Sequence, residues 1–163
     1  MIKLKDILNE GTGDYSMAQW NEFMPTTYKL NNLIDKEVWR LFMQRMISQY
    51  NFTSGSKYYD PKKIAKMTGE QLNSGSCWWI VEAIRKKDPS YKAAHTDDYK
   101  SILKKALGTG RIPDHGFLIK NNKFYDAEVP NGVDNVWELP FFQRKTKNKP
   151  IGPGGTHKTA CPL

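Results

Sequence analysis

An α+β domain is predicted, with helices first and a small antiparallel sheet after them. Two observations carry the prediction. Apolar residues recur at helical spacing up to about residue 107, and after Gly108-Thr109-Gly110 the period changes to strand alternation. The chain of 163 residues has the length of one domain and enough material for a core. A hydrophobic share of 39% and an aromatic share of 12% belong to a folded chain rather than a disordered one.

The elements follow in order. Ile2, Leu4, Ile7 and Leu8 are spaced for a short amphipathic helix ended by Gly11. Residues 11–34, with Trp20, Phe23 and Tyr28 around Pro25, read as loop and short helix, which makes residues 1–34 an N-terminal extension. At Asp35 a helix cap precedes Val38, Trp39, Leu41, Phe42, Met43, Met46, Ile47 and Tyr50, a wide apolar face. Trp39, Phe42 and Met46 suit a binding groove, but core packing explains such a stripe more often. Asp60-Pro61 opens a helix over residues 61–68, with Gly69 as its stop. Cys77 begins the next helix, which reaches Lys87 before Asp88-Pro89. Thr96 caps a helix over residues 97–107, with Ile102, Leu103 and Ala106 inward and Gly108 at its end.

Residues 117–120 and 123–128 then read as a hairpin with Asn121-Asn122 as its two-residue turn, and a third strand is expected near Val136 to Phe142. The main domain is therefore residues 35–143. Residues 144–163, basic and rich in Gly and Pro, read as a mobile tail.

Twenty-five basic against 17 acidic residues give a net charge of +8, which suits acidic partners or simply a solvated lysine surface. The basic residues and tryptophans do not interleave as in a nucleic-acid reader, so nucleic acid is not the expected partner. Cys77 and Cys161 stand far apart with no CxxC, which implies a reduced, cytoplasmic setting and no disulfide framework. The start lacks the apolar core of a signal peptide, and no run is long enough to cross a membrane, so a soluble protein is expected. His157 and Cys161 fall short of a four-ligand zinc pattern, so no metal and no cofactor are predicted.

The chemistry centres on Cys77. A thiol at a helix N-terminus meets unpaired N–H groups and the positive end of the helix dipole, which favour the thiolate. A thiol nucleophile needs a base and a group to orient that base. With the Asn121-Asn122 turn, Ile119 pairs with Phe124, and His115, Phe117, Phe124, Asp126 and Glu128 share one face of the hairpin. Asp126 is then the diagonal neighbour of His115, and Glu128 lies opposite it; either carboxylate suits the imidazole. His95, in a polar segment before a helix, reads as solvated.

Gly75-Ser76-Cys77-Trp78 is similar to the sequence around the nucleophile of papain-type proteases. Asp114-His115-Gly116-Phe117-Leu118-Ile119 resembles the histidine strand of the papain-like and transglutaminase-like cysteine hydrolases. Lys123-Phe124-Tyr125-Asp126-Ala127 is similar to the segment that follows in small bacterial and phage relatives. The resemblance covers residues 70–130 and implies a compact papain-like core in which Cys77, His115 and Asp126 form a triad. It also implies an oxyanion role for Gln71, six positions before the cysteine, and Trp78 and Trp79 would wall the site. The Cys–His spacing is shorter than in papain proper, and Trp79 stands where a small residue is usual. The opening Lys3-Leu4-Lys5-Asp6-Ile7-Leu8 resembles the start of many tailed-phage proteins.

The expected function is hydrolysis of an amide bond in peptide or peptidoglycan through a thioester, in a host-cell cytoplasm or on a virion. The alternatives are a non-catalytic phage structural or host-interacting protein on the same scaffold, with phage structural proteins as partners, and a basic nucleic-acid-associated module.

Overall fold

The computed structural model describes residues 17–50, 61–108 and 111–146. The expected helix over residues 1–10, the phage-like opening, His157 and Cys161 lie outside them. Among the described residues the order is α1 (Met17–Glu22), α2 (Lys36–Tyr50), α3 (Pro61–Ile64), α4 (Gly69–Asn73) and α5 (Cys77–Lys87). There follow β1 (Lys92–His95), α6 (Thr96–Leu107), β2 (Gly116–Lys120), β3 (Lys123–Tyr125), a 3-10 turn (Val136–Glu138) and α7 (Pro140–Thr146). The fold is α+β, with one antiparallel sheet ordered β1-β2-β3.

The hairpin pairs in the expected register, Lys120 with Lys123 and Ile119 with Phe124. Asn121 and Asn122 both take positive φ, 50° and 58°. That is the conformation a type I′ turn requires and asparagine tolerates. The third strand is not near Val136, where the chain forms the 3-10 turn and α7. It is β1, which pairs Ala93 with Leu118 and His95 with Gly116.

The sheet separates two apolar clusters. On one face Leu118 joins α2 and α5 through Trp39, Phe42, Met43, Ile80 and Ile84. On the other, Ala94 and Phe117 join Leu103, Val136, Leu139 and Phe142. Trp39, Phe42 and Met46 are fully buried, which settles them as core rather than groove. Each such side chain contributes roughly 1.5–3 kcal/mol of burial free energy.

Trp20, Phe23, Tyr28, Leu33 and Ile34, in the stretch expected as an extension, pack in the first cluster beside α2 and α5. At the other end α7 runs through the expected boundary at residue 144.

Asp35 caps α2 as expected, its carboxylate accepting from the Glu37 and Val38 amides. The helix expected over residues 61–68 is shorter, because Thr68 and Gln71 form a capping box that starts α4 at Gly69. In α6 the inward residues are Tyr99, Leu103 and Leu107 at four-residue spacing, while Ile102 is 48% exposed and Ala106 faces solvent. Among the described residues no helix is long and apolar enough to cross a membrane.

Candidate active site

Cys77 is the first residue of α5 and 3% exposed. Ser76 at the N-cap makes no side-chain cap hydrogen bond, so its hydroxyl does not satisfy the first amides of the helix. Trp78 lies against the start of β2. A Cβ on Gly116 would stand 2.8 Å from the Trp78 ring and 3.7 Å from its Cα. That close approach holds the first turn of α5 beside the strand His115 precedes. Gly116→Ala is therefore expected to destabilise the domain by about 1–3 kcal/mol through overpacking. A lower urea midpoint at unchanged slope would register it; an unchanged midpoint would mean the ring moves without strain.

His115 is held from three directions. The hydroxyl of Thr96 accepts from the His115 amide at 2.8 Å and lies 3.2 Å from the His115 carbonyl and 3.0 Å from that of Pro113. Thr96 is thus a strand clamp rather than the expected cap. The cap position belongs to His95, whose backbone amide donates to Asp98. The His115 ring stacks on Phe141, centroids 4.0 Å apart and planes 15° from parallel, with Phe142 edge-on at 5.7 Å. Both aromatics come from α7. Finally, Nε2 lies 3.1 Å from Oδ2 of Asp126.

Asp126 follows β3 directly, and its other oxygen, Oδ1, accepts from the amides of Glu128 at 2.9 Å and Val129 at 3.2 Å. This turn ends the strand before Glu128. Glu128 instead meets Arg144 through two contacts of 2.6 Å and Asn73 through one of 2.8 Å. Asp126 is therefore the imidazole's carboxylate partner.

Burial raises the Asp126 pKa. The His115 hydrogen bond, the His115 charge, the Glu128 amide and Asn73 outweigh it and hold the carboxyl below its ordinary value. An ionised carboxylate only accepts, so Nε2 carries the proton of this hydrogen bond. In the neutral ring Nδ1 is then the basic nitrogen. That atom is buried and has no hydrogen-bond partner.

The other expected site residues are distributed unevenly. Trp78 is half-buried beside Gly116. Trp79 is 5% exposed and packs in the core, with the Arg45 guanidinium 5.3 Å from its ring, so it does not wall the site. Gln71 is exposed, and its side-chain carbonyl accepts from the Thr68 amide at 2.9 Å, a helix-capping task. His95 is not solvated: its side chain is 14% exposed and Nε2 is buried.

Thr96, Phe141 and Asn73 were not legible as site residues. The Thr68-x-x-Gln71 capping box could have been read, and it would have placed Asn73 at the end of a helix four residues before Cys77.

Among the described residues no group of three or more His, Cys, Asp or Glu side chains is arranged to hold a metal. An open cleft of about 500 Å³ borders the Asp126 turn, lined by Tyr28, Asn31, Thr68, Glu70, Ala127 and Glu128 among others. Comparison with known proteins finds no family model, no curated protein and no solved structure that matches this chain.

Proposed function

We propose that the domain is a thiol hydrolase that cleaves an amide bond in peptide or peptidoglycan, with Cys77 as nucleophile, His115 as base and Asp126 as the group that orients the base. The observation that carries this reading is the buried His115–Asp126 pair at 3.1 Å, with Nδ1 left without a partner. With Nε2 engaged by the carboxylate, Nδ1 is the ring nitrogen left to take a proton.

In the reaction, Nδ1 takes the proton of Cys77. The thiolate adds to the acyl carbon, and the Cys77 amide at the head of α5 stabilises the oxyanion. The C–N bond breaks as the imidazolium returns its proton to the leaving amine. Water, deprotonated by the same nitrogen, then adds to the thioester carbon. The C–S bond breaks, the acid leaves, and the thiol recovers its proton. Asp126 keeps Nε2 protonated throughout, and Phe141 fixes the ring plane.

A second reading, a non-catalytic phage structural or host-interacting protein, is favoured by one observation. Cys77 and His115 are only 3% and 0% exposed, so an acyl group reaches them only if Trp78 or a neighbour moves.

Trapping decides between the two. Incubation with peptide and peptidoglycan fragments, then acid quench and mass spectrometry, is expected to find an acyl adduct on Cys77. That adduct should be discharged by hydroxylamine and absent in Cys77→Ala. No adduct and no cleavage product from either substrate class would leave the scaffold reading.

A further inference from the structure

We infer that Asn73 is a positioning residue for this site: its amide ties the segment leading to Cys77 to the turn that aims Asp126 at His115. The inference rests on the triad reading above. Asn73 closes α4, four residues before Cys77, and its side chain is 2% exposed. Both ends of the amide reach across the fold. Oδ1 accepts from the Ala127 amide at 3.3 Å, and Nδ2 donates to Glu128 at 2.8 Å. These partners are the two residues that directly follow Asp126, the residue that faces the imidazole.

The other end of α4 touches the same turn. A Cβ on Gly69 would lie 2.9 Å from the Ala127 carbonyl oxygen and 3.1 Å from Cγ of Glu128. Beyond Glu128 the fork of Arg144 holds both carboxylate oxygens at 2.6 Å, and its Nε lies 3.2 Å from Glu70, also on α4. So α4 grips the turn at Gly69 and Asn73 directly and through Glu70 and Arg144 indirectly. A buried amide with both ends matched fixes the groups it joins, and truncating it leaves the Ala127 amide without its Asn73 acceptor and Glu128 without its Asn73 donor.

Asn73 touches neither the thiol nor the imidazole in these interactions. Its effect passes through Asp126. Without the amide the turn relaxes, the carboxylate sits less squarely on Nε2, and the imidazolium that balances a Cys77 thiolate is less favoured. Cys77 should then ionise at higher pH, while the thiolate once formed is slightly more nucleophilic because it is more basic. A residue that only supports the fold would lower stability and leave the thiol's titration where it was.

The test is the pH profile of iodoacetamide alkylation of Cys77, read by mass spectrometry on the full chain for wild type, Asn73→Ala, Arg144→Met and His115→Ala. Asn73→Ala is expected to slow alkylation at pH 6.5 by about three- to tenfold, with a plateau at high pH no lower than that of wild type. Arg144→Met, at a partly exposed position, should shift the profile the same way by about twofold and serves if Asn73→Ala does not fold. Profiles in both variants that match wild type, while His115→Ala shifts its own, would overturn the role of Asn73 and keep the triad. A wild-type profile that His115→Ala does not move would overturn both.

Discussion

His115→Ala is expected to slow alkylation of Cys77 at pH 7 by about tenfold or more. The magnitude follows from thiol chemistry. An unassisted cysteine titrating near about 8.5 is roughly 3% thiolate at pH 7, so full ionisation gains at most about thirtyfold. A thiolate of lower basicity is also a poorer nucleophile, with a Brønsted slope of about 0.4–0.5, which returns part of that gain. The measurement uses a Cys161→Ser background, so that one thiol reports. A wild-type thiol that titrates near 8.5, and does so equally in His115→Ala, would remove His115 as its base. The helix head contributes independently of the histidine, because the Ser76 hydroxyl does not cap α5. Part of the enhancement should therefore survive in the variant.

What could be read from the sequence was what local chemistry decides. The α5 helix needs only its apolar spacing and the Asp88-Pro89 stop. The hairpin needs only two residues that accept positive φ, and Asn121-Asn122 fixed a register that puts Asp126 within reach of His115.

What failed was tertiary. Lys92-Ala93-Ala94-His95 has little strand propensity and becomes β1 because β2 offers it a pairing edge. Phe141 and Phe142 alternate with nothing, yet they read as strand until α7 brings both against the His115 ring. Thr96 had a hydroxyl in a cap-like position, but the more valuable partner was the His115 amide across the sheet. Arg144 looked like the first residue of a tail because only its guanidinium, reaching Glu128 and Glu70, belongs to the site's surroundings. In each case the missing information was a partner far away in sequence, which no local pattern carries.

Asp126→Ala is expected to destabilise the domain by about 3–5 kcal/mol, more than Asp126→Asn. The alanine variant leaves the buried Nε2 of His115 and the amides of Glu128 and Val129 without their acceptor, three losses from one truncation. Asparagine keeps the shape and one acceptor oxygen for the turn amides, but it removes the charge. The two variants therefore separate the turn from the ion pair.

The pH dependence separates them further. The Asp126 pKa is lowered in the folded domain, so between its ordinary value of 3.8 and the lower folded value the unfolded chain binds more protons. Stability from the carboxylate is then fully present above about 3.9 and is lost as pH falls through the folded value. Urea midpoints of wild type and Asp126→Asn should differ at pH 6 and converge as pH is taken below that window. A difference that stays constant down to pH 3 would mean that folding does not lower the carboxyl pKa, so that the His115 contact and the turn amides add no net preference for the charged form.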